Sequence, residues 1–261
     1  MKILDRIVMV VFVLCLLFSA IVWPVVIMMT KDTYYINQFE KIGTMPEEDS
    51  FKDVYYINGD ATQTAFFTQK QMKEIVHHIS SFINGEKESF ALNMDMVLLN
   101  GNIQNNVKIF SDTAIEHMLH VRTLYNNVSI AAYVATGMLI AGAVYMFKRK
   151  EHIRKHLFKW SATTVGAIIG IILLFALFVL FKTATGSSGI STSSYLRTMW
   201  YYLHYLFFPF SSEQFGGSFF NDTLTDILTI EFFMNTVTTV FVNLVAILSA
   251  WLFSAKMIRE R

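Results

Sequence analysis

The chain has 261 residues, of which 54% are hydrophobic and 16% are charged, compared with roughly 25% charged residues in soluble domains. Its net charge of +1 excludes a global basic field for nucleic acid. The single cysteine, Cys15, lies in an apolar segment. This excludes an internal disulfide and a cysteine-rich metal site, and such a cysteine typically acts as a small hydrophobe. The composition is typical of a chain embedded in a bilayer.

Four segments are long and apolar enough to be membrane-spanning helices, since a span needs ~20 mostly apolar residues. They cover residues 7–29, 129–147, 160–181 and 232–254. Pro24 would kink the first of them near its outer end, which membrane helices tolerate. Lys2 and Arg6 precede the apolar run, as basic residues do in a signal peptide. However, the run is longer than the usual h-region of a signal peptide, and no A-x-A cleavage site follows. We therefore interpret it as an uncleaved anchor.

The distribution of Lys and Arg predicts the orientation of the spans. Basic residues concentrate before the first span, between the second and third, and after the fourth. In contrast, residues 31–128 contain eight basic and thirteen acidic residues, and residues 182–231 contain two and four. By the positive-inside rule, both termini lie in the cytoplasm of a cell-membrane protein, and its site faces the outer side. We interpret the basic loop at 148–159 as a topology signal and lipid-headgroup contact rather than a catalytic use of His152 or His156.

The predicted fold class is all-α transmembrane, a four-helix membrane bundle with a small mixed, mostly α extracytoplasmic cap. The predicted segments, in chain order, are transmembrane helix 1 at 7–29, the cap at 30–128, helix 2 at 129–147, the cytoplasmic basic loop at 148–159, helix 3 at 160–181, an extracytoplasmic loop with an interfacial aromatic helix at 182–231, helix 4 at 232–254 and the cytoplasmic tail at 255–261.

The cap begins with a stretch, residues 32–59, whose mixture of tyrosines and acidic residues predicts irregular or short-stranded structure. Thr68 and Gln71 then have the spacing of a helix capping box, and Gly85 stands where such a helix would end. One stripe of this helix is apolar: Met72, Ile75, Val76, Ile79 and Ile83. His77 and His78 also lie on this helix, so at least one of them points partly away from the stripe. A structural role is the simpler interpretation of both.

A second cap helix is predicted to start near Ser111 or Asp112, where Thr113 and Glu116 again have capping-box spacing. Its apolar side is predicted to carry Ile115, Leu119 and Leu124. It runs directly into the second span, which places His117 roughly three turns from the bilayer.

The second outer segment is predicted to contain a half-buried interfacial helix that ends at Pro209, because Tyr and Trp favour the membrane interface. His204 lies among its aromatic residues. Asp222 and Asp226 follow near the start of the last span.

Histidine is the side chain that exchanges protons most readily near neutral pH, and His117 and His204 are both expected at the outer bilayer surface. Either could also be structural. His117 and His120 share a helical face and, with Glu116 or a distant ligand, could hold a metal, but the HxxH spacing alone is a weak signal. The sequence contains no nucleophile elbow, Walker loop or dinucleotide fingerprint.

Three motifs occur in order along the chain: FSDTAIEHMLHV, WYYLHYLFFPF and NDTLTDILTIEFF. These motifs and their order resemble the lipoprotein intramolecular transacylases of Gram-positive bacteria. The family pattern has an HMxDV element, matched by His117, Met118 and Val121, and an FHxxFF element, matched by His204, Phe207 and Phe208. Asp222 and Asp226 match its Asp-containing stretch. The chain departs from the pattern at His120, which replaces an Asp that could orient the first histidine, and at Leu203, which replaces a Phe.

The resemblance implies a metal-independent enzyme without a cofactor that acts on diacylated bacterial lipoproteins. It moves the sn-2 acyl chain of the diacylglyceryl group to the α-amine of the N-terminal cysteine, giving a lyso-form lipoprotein. On this basis His117 is the expected base and His204 the expected donor to the oxyanion or leaving group, although the two roles could be exchanged. The expected orienting or substrate-binding residues are Asp222, Asp226, Arg197, His120, Glu116 and Tyr201.

Simpler roles remain open for some of these residues: Asp222 or Asp226 could serve only as a helix-start carboxylate, and Arg197 could contact lipid headgroups. The expected partners are lipoproteins and membrane lipid, with no nucleic acid, and a monomer is favoured. One alternative function is a non-catalytic membrane sensor or assembly protein. Another is a metal-dependent hydrolase that uses His117 and His120, which would require a third ligand.

Overall fold

The computed structural model describes residues 3–48, 50, 54–57, 60–98, 100–184 and 223–260. Over these residues the chain is mostly helical and contains a small sheet. The helices are α1 (Ile3–Met29), α2 (Asp32–Ile42), α3 (Gln69–Asn84), α4 (Asp112–Phe147), α5 (Glu151–Ala184), α6 (Thr223–Ile227) and α7 (Ile230–Glu260). The strands are β1 (Val54–Ile57), β2 (Asp60–Phe66), β3 (Asn93–Leu98) and β4 (Ile103–Lys108).

The chain divides into two compact units. The helical unit contains most of α1, the part of α4 from Asn127 onward, α5, and the part of α7 from Thr238 onward. The cap unit contains α2, α3, the sheet, the first part of α4, α6 and the start of α7. Each unit has its own buried apolar residues.

Within the part of the chain that the structure describes, three helices are long and apolar enough to cross a membrane. They are α1, α4 and the Ile230–Met257 part of α7, whose mean hydropathies are 2.9, 1.8 and 1.9. They contain the predicted spans at 7–29, 129–147 and 232–254, so the prediction of a membrane protein with apolar spanning helices is supported. The fourth predicted span, 160–181, falls inside α5, and its membrane crossing stays a prediction.

Aromatic side chains connect the helices of the helical unit. The Trp251 ring of α7 lies 4.9 Å from the Phe12 ring of α1 and 5.7 Å from the Phe158 ring of α5, measured between centroids. Phe12 also packs so closely on α4 that a Cβ at Gly142 would lie 2.9 Å from its Cδ2 atom. A side chain at position 142 would therefore displace Phe12.

A buried carboxylate ties the start of α1 to the end of α4. Asp5 is 1% exposed, and both Arg149 Nη2 and the Tyr145 hydroxyl donate to its Oδ1 atom at 2.8 Å. A buried charge needs such partners, because removing it from water without them is strongly unfavourable. The contacts of Asp5 with Arg149 and Tyr145 therefore fix the register of α1 and α4 at one end of the unit.

The cap sheet is antiparallel throughout, with strand order β1-β2-β3-β4. In β3 the burial alternates, with Met94 and Met96 inside and Asn93 and Asp95 outside, as expected when one face of a sheet covers a core. The described part of the cap is thus mixed and mostly α, as predicted, and its strands form one four-stranded sheet.

Helix α3 confirms its predicted boundaries. Thr68 Oγ1 accepts from the Gln71 backbone N–H and Gln71 Oε1 accepts from the Thr68 N–H, so the capping box is complete. Gly85 ends the helix at φ +87°, a conformation that favours glycine. The predicted stripe is buried, and all five of its residues belong to the cap core.

The start of the cap differs from the prediction. Residues 32–42 form helix α2 instead of irregular or short-stranded structure, and Gly43 ends it at φ +75°. Its buried face carries Tyr35 and Phe39, spaced four residues apart, and the Tyr35 ring stacks on Phe232 with centroids 5.5 Å apart. Burial of this aromatic pair against a distant segment therefore decides the local structure.

Candidate functional site

Helix α4 carries His117 on its cap portion. Ser111 caps the helix, because its Oγ accepts from the Ala114 N–H at 3.1 Å. The predicted start is therefore confirmed, but the capping residue is Ser111 rather than Thr113. Ala114 and Met118 are buried in the cap core, and His117, next to Met118, is half-buried. The imidazole thus lies at the border between the core and the exposed face.

The apolar side of this helix runs through different residues than the sequence predicted. Leu119 is 46% exposed, whereas Val121 and Tyr125 pack against the cap core together with Ile115. The predicted side included Leu119 because a single-helix pattern does not show which of several overlapping stripes meets the core.

Arg122 fastens the same part of α4 to the end of α3. Its Nη1 donates to the Lys87 carbonyl oxygen at 3.0 Å, and its Cζ lies 5.0 Å from the centroid of the Phe82 ring. Lys87 and Arg122 are 35 residues apart, so no local sequence pattern predicts this contact. The contact fixes the rotation of α4 five residues after His117.

Glu116 and His120 are both exposed on α4. Over the part of the chain that the structure describes, no three His, Cys, Asp or Glu side chains group so that they could hold a metal ion. The third ligand that a metal centre at His117 and His120 requires is therefore not supplied by the described residues.

Asp226 lies in the short helix α6 and is half-buried. Its neighbours Leu224 and Ile227 are 3% and 0% exposed and belong to the same cap core as Met118. Two motif segments separated by about a hundred residues therefore pack on one core. The other predicted site residues, His204, Tyr201, Arg197 and Asp222, and the predicted interfacial helix lie outside the described residues.

A second polar cluster was not predicted. Asp32 Oδ2 accepts from His77 Nδ1 at 2.9 Å, and the Ser80 hydroxyl donates to Asp32 Oδ1. Burial raises the pKa of Asp32, but the hydrogen bonds from Ser80 and His77 outweigh it, so this pKa lies below its ordinary value. Asp32 and His77 are 45 residues apart, so no local sequence pattern links them.

The geometry of this cluster suits proton transfer better than nucleophilic attack. Because the carboxylate accepts from Nδ1, the other ring nitrogen of His77 is the basic one, and the side chain is 60% exposed. Ser81 Oγ is 3.5 Å from His77 Nε2, but Ser81 is only 4% exposed and donates to Glu86 Oε2 at 3.1 Å. An acyl substrate could not reach this hydroxyl.

His78 is structural. It is 3% exposed, its Nε2 lies 3.0 Å from the Phe90 carbonyl oxygen, and Lys87 Nζ lies 3.0 Å from its Nδ1. Since Lys87 can only donate, Nδ1 is the acceptor and Nε2–H the donor. Burial lowers the pKa of His78, which favours this neutral form. The pair of adjacent histidines thus contains one exposed and one buried residue.

No model of a known protein family matches the chain, and comparisons with curated proteins and with solved structures find no match either.

Proposed function

We propose that this chain is a membrane-bound lipoprotein intramolecular acyltransferase. It transfers the sn-2 acyl chain of a diacylglyceryl lipoprotein to the α-amine of the N-terminal cysteine and leaves a lyso-form lipoprotein. His117 and His204 handle the protons, and no metal or cofactor takes part. Asp222, Asp226, Arg197, Tyr201, Glu116 and His120 are the further residues that bind or orient.

One observation carries the proposal beyond the motif resemblance. The HML part of the first motif and the TDIL part of the third are distant in sequence, yet Met118, Leu224 and Ile227 share one buried core. Residues of a common site must be brought together by the fold, and a shared core is how separate segments achieve this. The half-buried position of His117 adds to this support, because a base must reach substrate while its ring is held by packing.

The proposal includes a four-helix topology, with α5 as the fourth span and both termini in the cytoplasm. Support comes from the charge distribution and from the packing of α5. Leu157 and Val165 are each 0% exposed and belong to apolar clusters that also contain residues of α1 and α7. The cap then faces the outer leaflet, where the acyl chains of a lipoprotein lie.

The reaction removes two protons from the amine nitrogen, adds one proton to the glycerol oxygen and exchanges an ester bond for an amide bond. The α-amine has a pKa of ~8, so at neutral pH it first loses a proton to a neutral histidine and through it to solvent. The amine nitrogen then attacks the ester carbonyl carbon, and the resulting oxyanion needs a hydrogen-bond donor. The bond from carbon to the sn-2 oxygen breaks, the second nitrogen proton leaves through the base, and the glycerol oxygen receives a proton. Amide and alcohol form without an external acyl donor.

Substrate and enzyme share the work of catalysis unequally in this scheme. Amine and ester belong to one molecule, so their proximity is supplied in advance. The enzyme has to fold the substrate into the reactive shape and exchange protons at the correct atoms. His120 stands where the family pattern has an orienting carboxylate, and Asp226 is a described carboxylate that could orient His117 in its place.

The test is mass spectrometry of the N-terminal peptide of a reporter lipoprotein in a host that lacks other N-acylating enzymes. Wild type, His117→Ala, His204→Ala and an empty vector are compared. We expect the wild type to give an N-acyl, S-monoacylglyceryl peptide of unchanged mass, distinguished by fragmentation. Both variants should give the diacylglyceryl peptide with a free α-amine. His77→Ala, an exposed histidine on another cap helix, is the matched control and should retain activity.

Two results would count against the proposal. A wild-type pattern equal to that of the empty vector, with the protein present in the membrane, would favour the non-catalytic sensor or assembly protein. Activity that chelators abolish and Zn²⁺ restores would favour the metal-dependent hydrolase. Melting temperatures of His117→Ala and His204→Ala close to that of the wild type show that a loss of activity is not a loss of fold.

A further inference from the structure

A small cavity opens between α5 and α7 in the helical unit. Its volume is about 290 Å³, and its lining is Phe158, Lys159, Ala162, Thr163, Ala255 and Lys256. Three of the lining residues are apolar (Phe158, Ala162 and Ala255), and the other three, Lys159, Thr163 and Lys256, carry polar groups. A cavity with this lining suits a small anionic group attached to an apolar body.

The two lysines have no acidic partner among the residues that the structure describes. Nearby cations are engaged differently: Lys155 Nζ lies 2.8 Å from Glu151 Oε1, and Arg149 pairs with Asp5. Lys159 and Lys256 are both exposed, so their charges are available to a ligand. Two positive charges thus lie at one cavity, and among the side chains that the structure describes no carboxylate pairs with either of them.

Both lysines stand at the ends of apolar segments. The predicted span 232–254 of α7 ends two residues before Lys256, and Lys159 directly precedes the apolar segment 160–181 of α5. The ends of apolar segments lie at the level of lipid headgroups, where basic pockets between membrane helices bind phosphate-containing headgroups. The cavity is too small for a whole lipid, so only the headgroup would enter it.

The neighbouring surface of α5 leaves room for the remainder of such a lipid. Small residues recur at every fourth position after Ala162, at Gly166 and Gly170. Apart from the adjacent residues and the backbone of α5 itself, no described atom lies within 4 Å of the Cβ position of either glycine. An acyl chain that extends from the cavity could lie along this side of the helix. A free phosphate ion has no such chain and would not cover this surface.

We propose that Lys159 and Lys256 form a binding site for the phosphodiester headgroup of an anionic membrane phospholipid. The headgroup phosphate accepts from both ammonium groups, and one acyl chain lies along Gly166. The site is separate from the proposed acyl-transfer residues and does not depend on that activity. Its affinity also does not depend on which leaflet it faces.

Native mass spectrometry of the full-length protein in micelles tests the site, with phosphatidylglycerol and phosphatidylcholine as probes. We expect the first phosphatidylglycerol to bind at least tenfold more tightly than phosphatidylcholine. Lys159→Gln and Lys256→Gln should each weaken it about fivefold, from the contribution of one lysine near an anionic surface, and the double variant about 25-fold. Lys155→Gln removes the same charge from the same helix outside the cavity and should change binding less than twofold.

Several outcomes would overturn the inference. Equal weakening by Lys155→Gln would indicate general charge attraction, and equal binding of phosphatidylcholine would remove the requirement for an anion. Displacement by tens of millimolar inorganic phosphate would assign the cavity to a free anion. Retained binding in Lys159→Arg, which keeps the charge, shows that losses in the Gln variants do not come from misfolding.

A further variant tests the position of the acyl chain. Gly166→Leu should weaken phosphatidylglycerol binding while leaving the melting temperature in phosphatidylcholine micelles unchanged. If it instead changes the oligomeric mass in light scattering, this side of α5 contacts a second copy of the chain, and the acyl-chain placement is wrong.

Discussion

The contact of Arg122 with the end of α3 gives a prediction whose size follows from the geometry. One hydrogen bond from a charged donor to the Lys87 carbonyl oxygen contributes ~1.5–3 kcal/mol, and a partly exposed guanidinium over a ring adds ~0.5–1 kcal/mol. The Lys87 oxygen lies just after a helix and can be rehydrated when Arg122 is lost. We therefore expect Arg122→Met, which keeps the apolar stem, to cost ~2 kcal/mol of local stability.

Hydrogen exchange of the full-length protein in micelles measures this cost directly. Amides in residues 81–90 should exchange ~30-fold faster in Arg122→Met than in wild type, because 1.4 kcal/mol corresponds to a factor of ten. Arg122→Lys keeps the charge but loses the planar fork over Phe82 and should show about half of the free-energy change. Lys73→Met is the control, since its exposed ammonium donates to Gln69 Oε1 on the same helix, at 2.9 Å.

A definite result would refute the reasoning about Arg122. If exchange in residues 81–90 stays within twofold of wild type in Arg122→Met, the contact does not hold α4 to α3. If Lys73→Met accelerates exchange equally, the effect belongs to any lost charge on the cap surface.

Three further perturbations test other parts of the cap. Thr68→Ala removes the cap of α3 and should cost ~1 kcal/mol, seen as faster exchange of the Gln71 amide, with Ser89→Ala as a surface control. Phe90→Ala empties a fully buried site beside Phe82 and Phe110 and should lower the free energy of unfolding by ~3–5 kcal/mol, seen as a lower melting temperature. A small decrease would show that the core collapses around the cavity. Acidification should destabilise the cap as the pH falls below ~4. The pKa of Asp32 is lower in the folded state than its ordinary 3.8, so its contribution is present above that value and is lost as the carboxylate is protonated. Melting temperatures across pH 2–6 should show a smaller decline for Asp32→Asn, and an equal decline would contradict this assignment.

The elements that the sequence predicts well are those whose signals are local. The α3 boundaries depend on Thr68, Gln71 and Gly85, all within one helix, and the spanning helices depend on continuous apolar runs. The strand β3 has a weaker signal, because its alternation covers only Asn93 to Met96 and methionine has little strand preference. Its strand partners, rather than its own composition, make it a strand.

Helix α2 shows how a distant contact reverses a local preference. Tyrosine and phenylalanine favour strands, which led to the prediction of short-stranded structure in this region. Their spacing of four residues also fits a helix, and Phe232, almost two hundred residues later, stacks on Tyr35 and lies 5.6 Å from Phe39. The choice between the two structures is therefore made by packing that the sequence does not show.

In the candidate site, too, the residue types can be predicted from the sequence, whereas their contacts with distant segments cannot. Sequence reasoning selects His117 because its chemistry and expected depth suit proton transfer, but its neighbours are fixed by contacts between distant segments. The carboxylate that orients His77 is 45 residues away, and the carbonyl that binds Arg122 is 35 residues away. Asp226 reaches the cap core through Ile227, the same core that buries Met118 beside His117. Residues that no spacing rule would pair can therefore be brought together by the fold, and the shared core around Met118 and Ile227 supports the proposed pairing of His117 with Asp226.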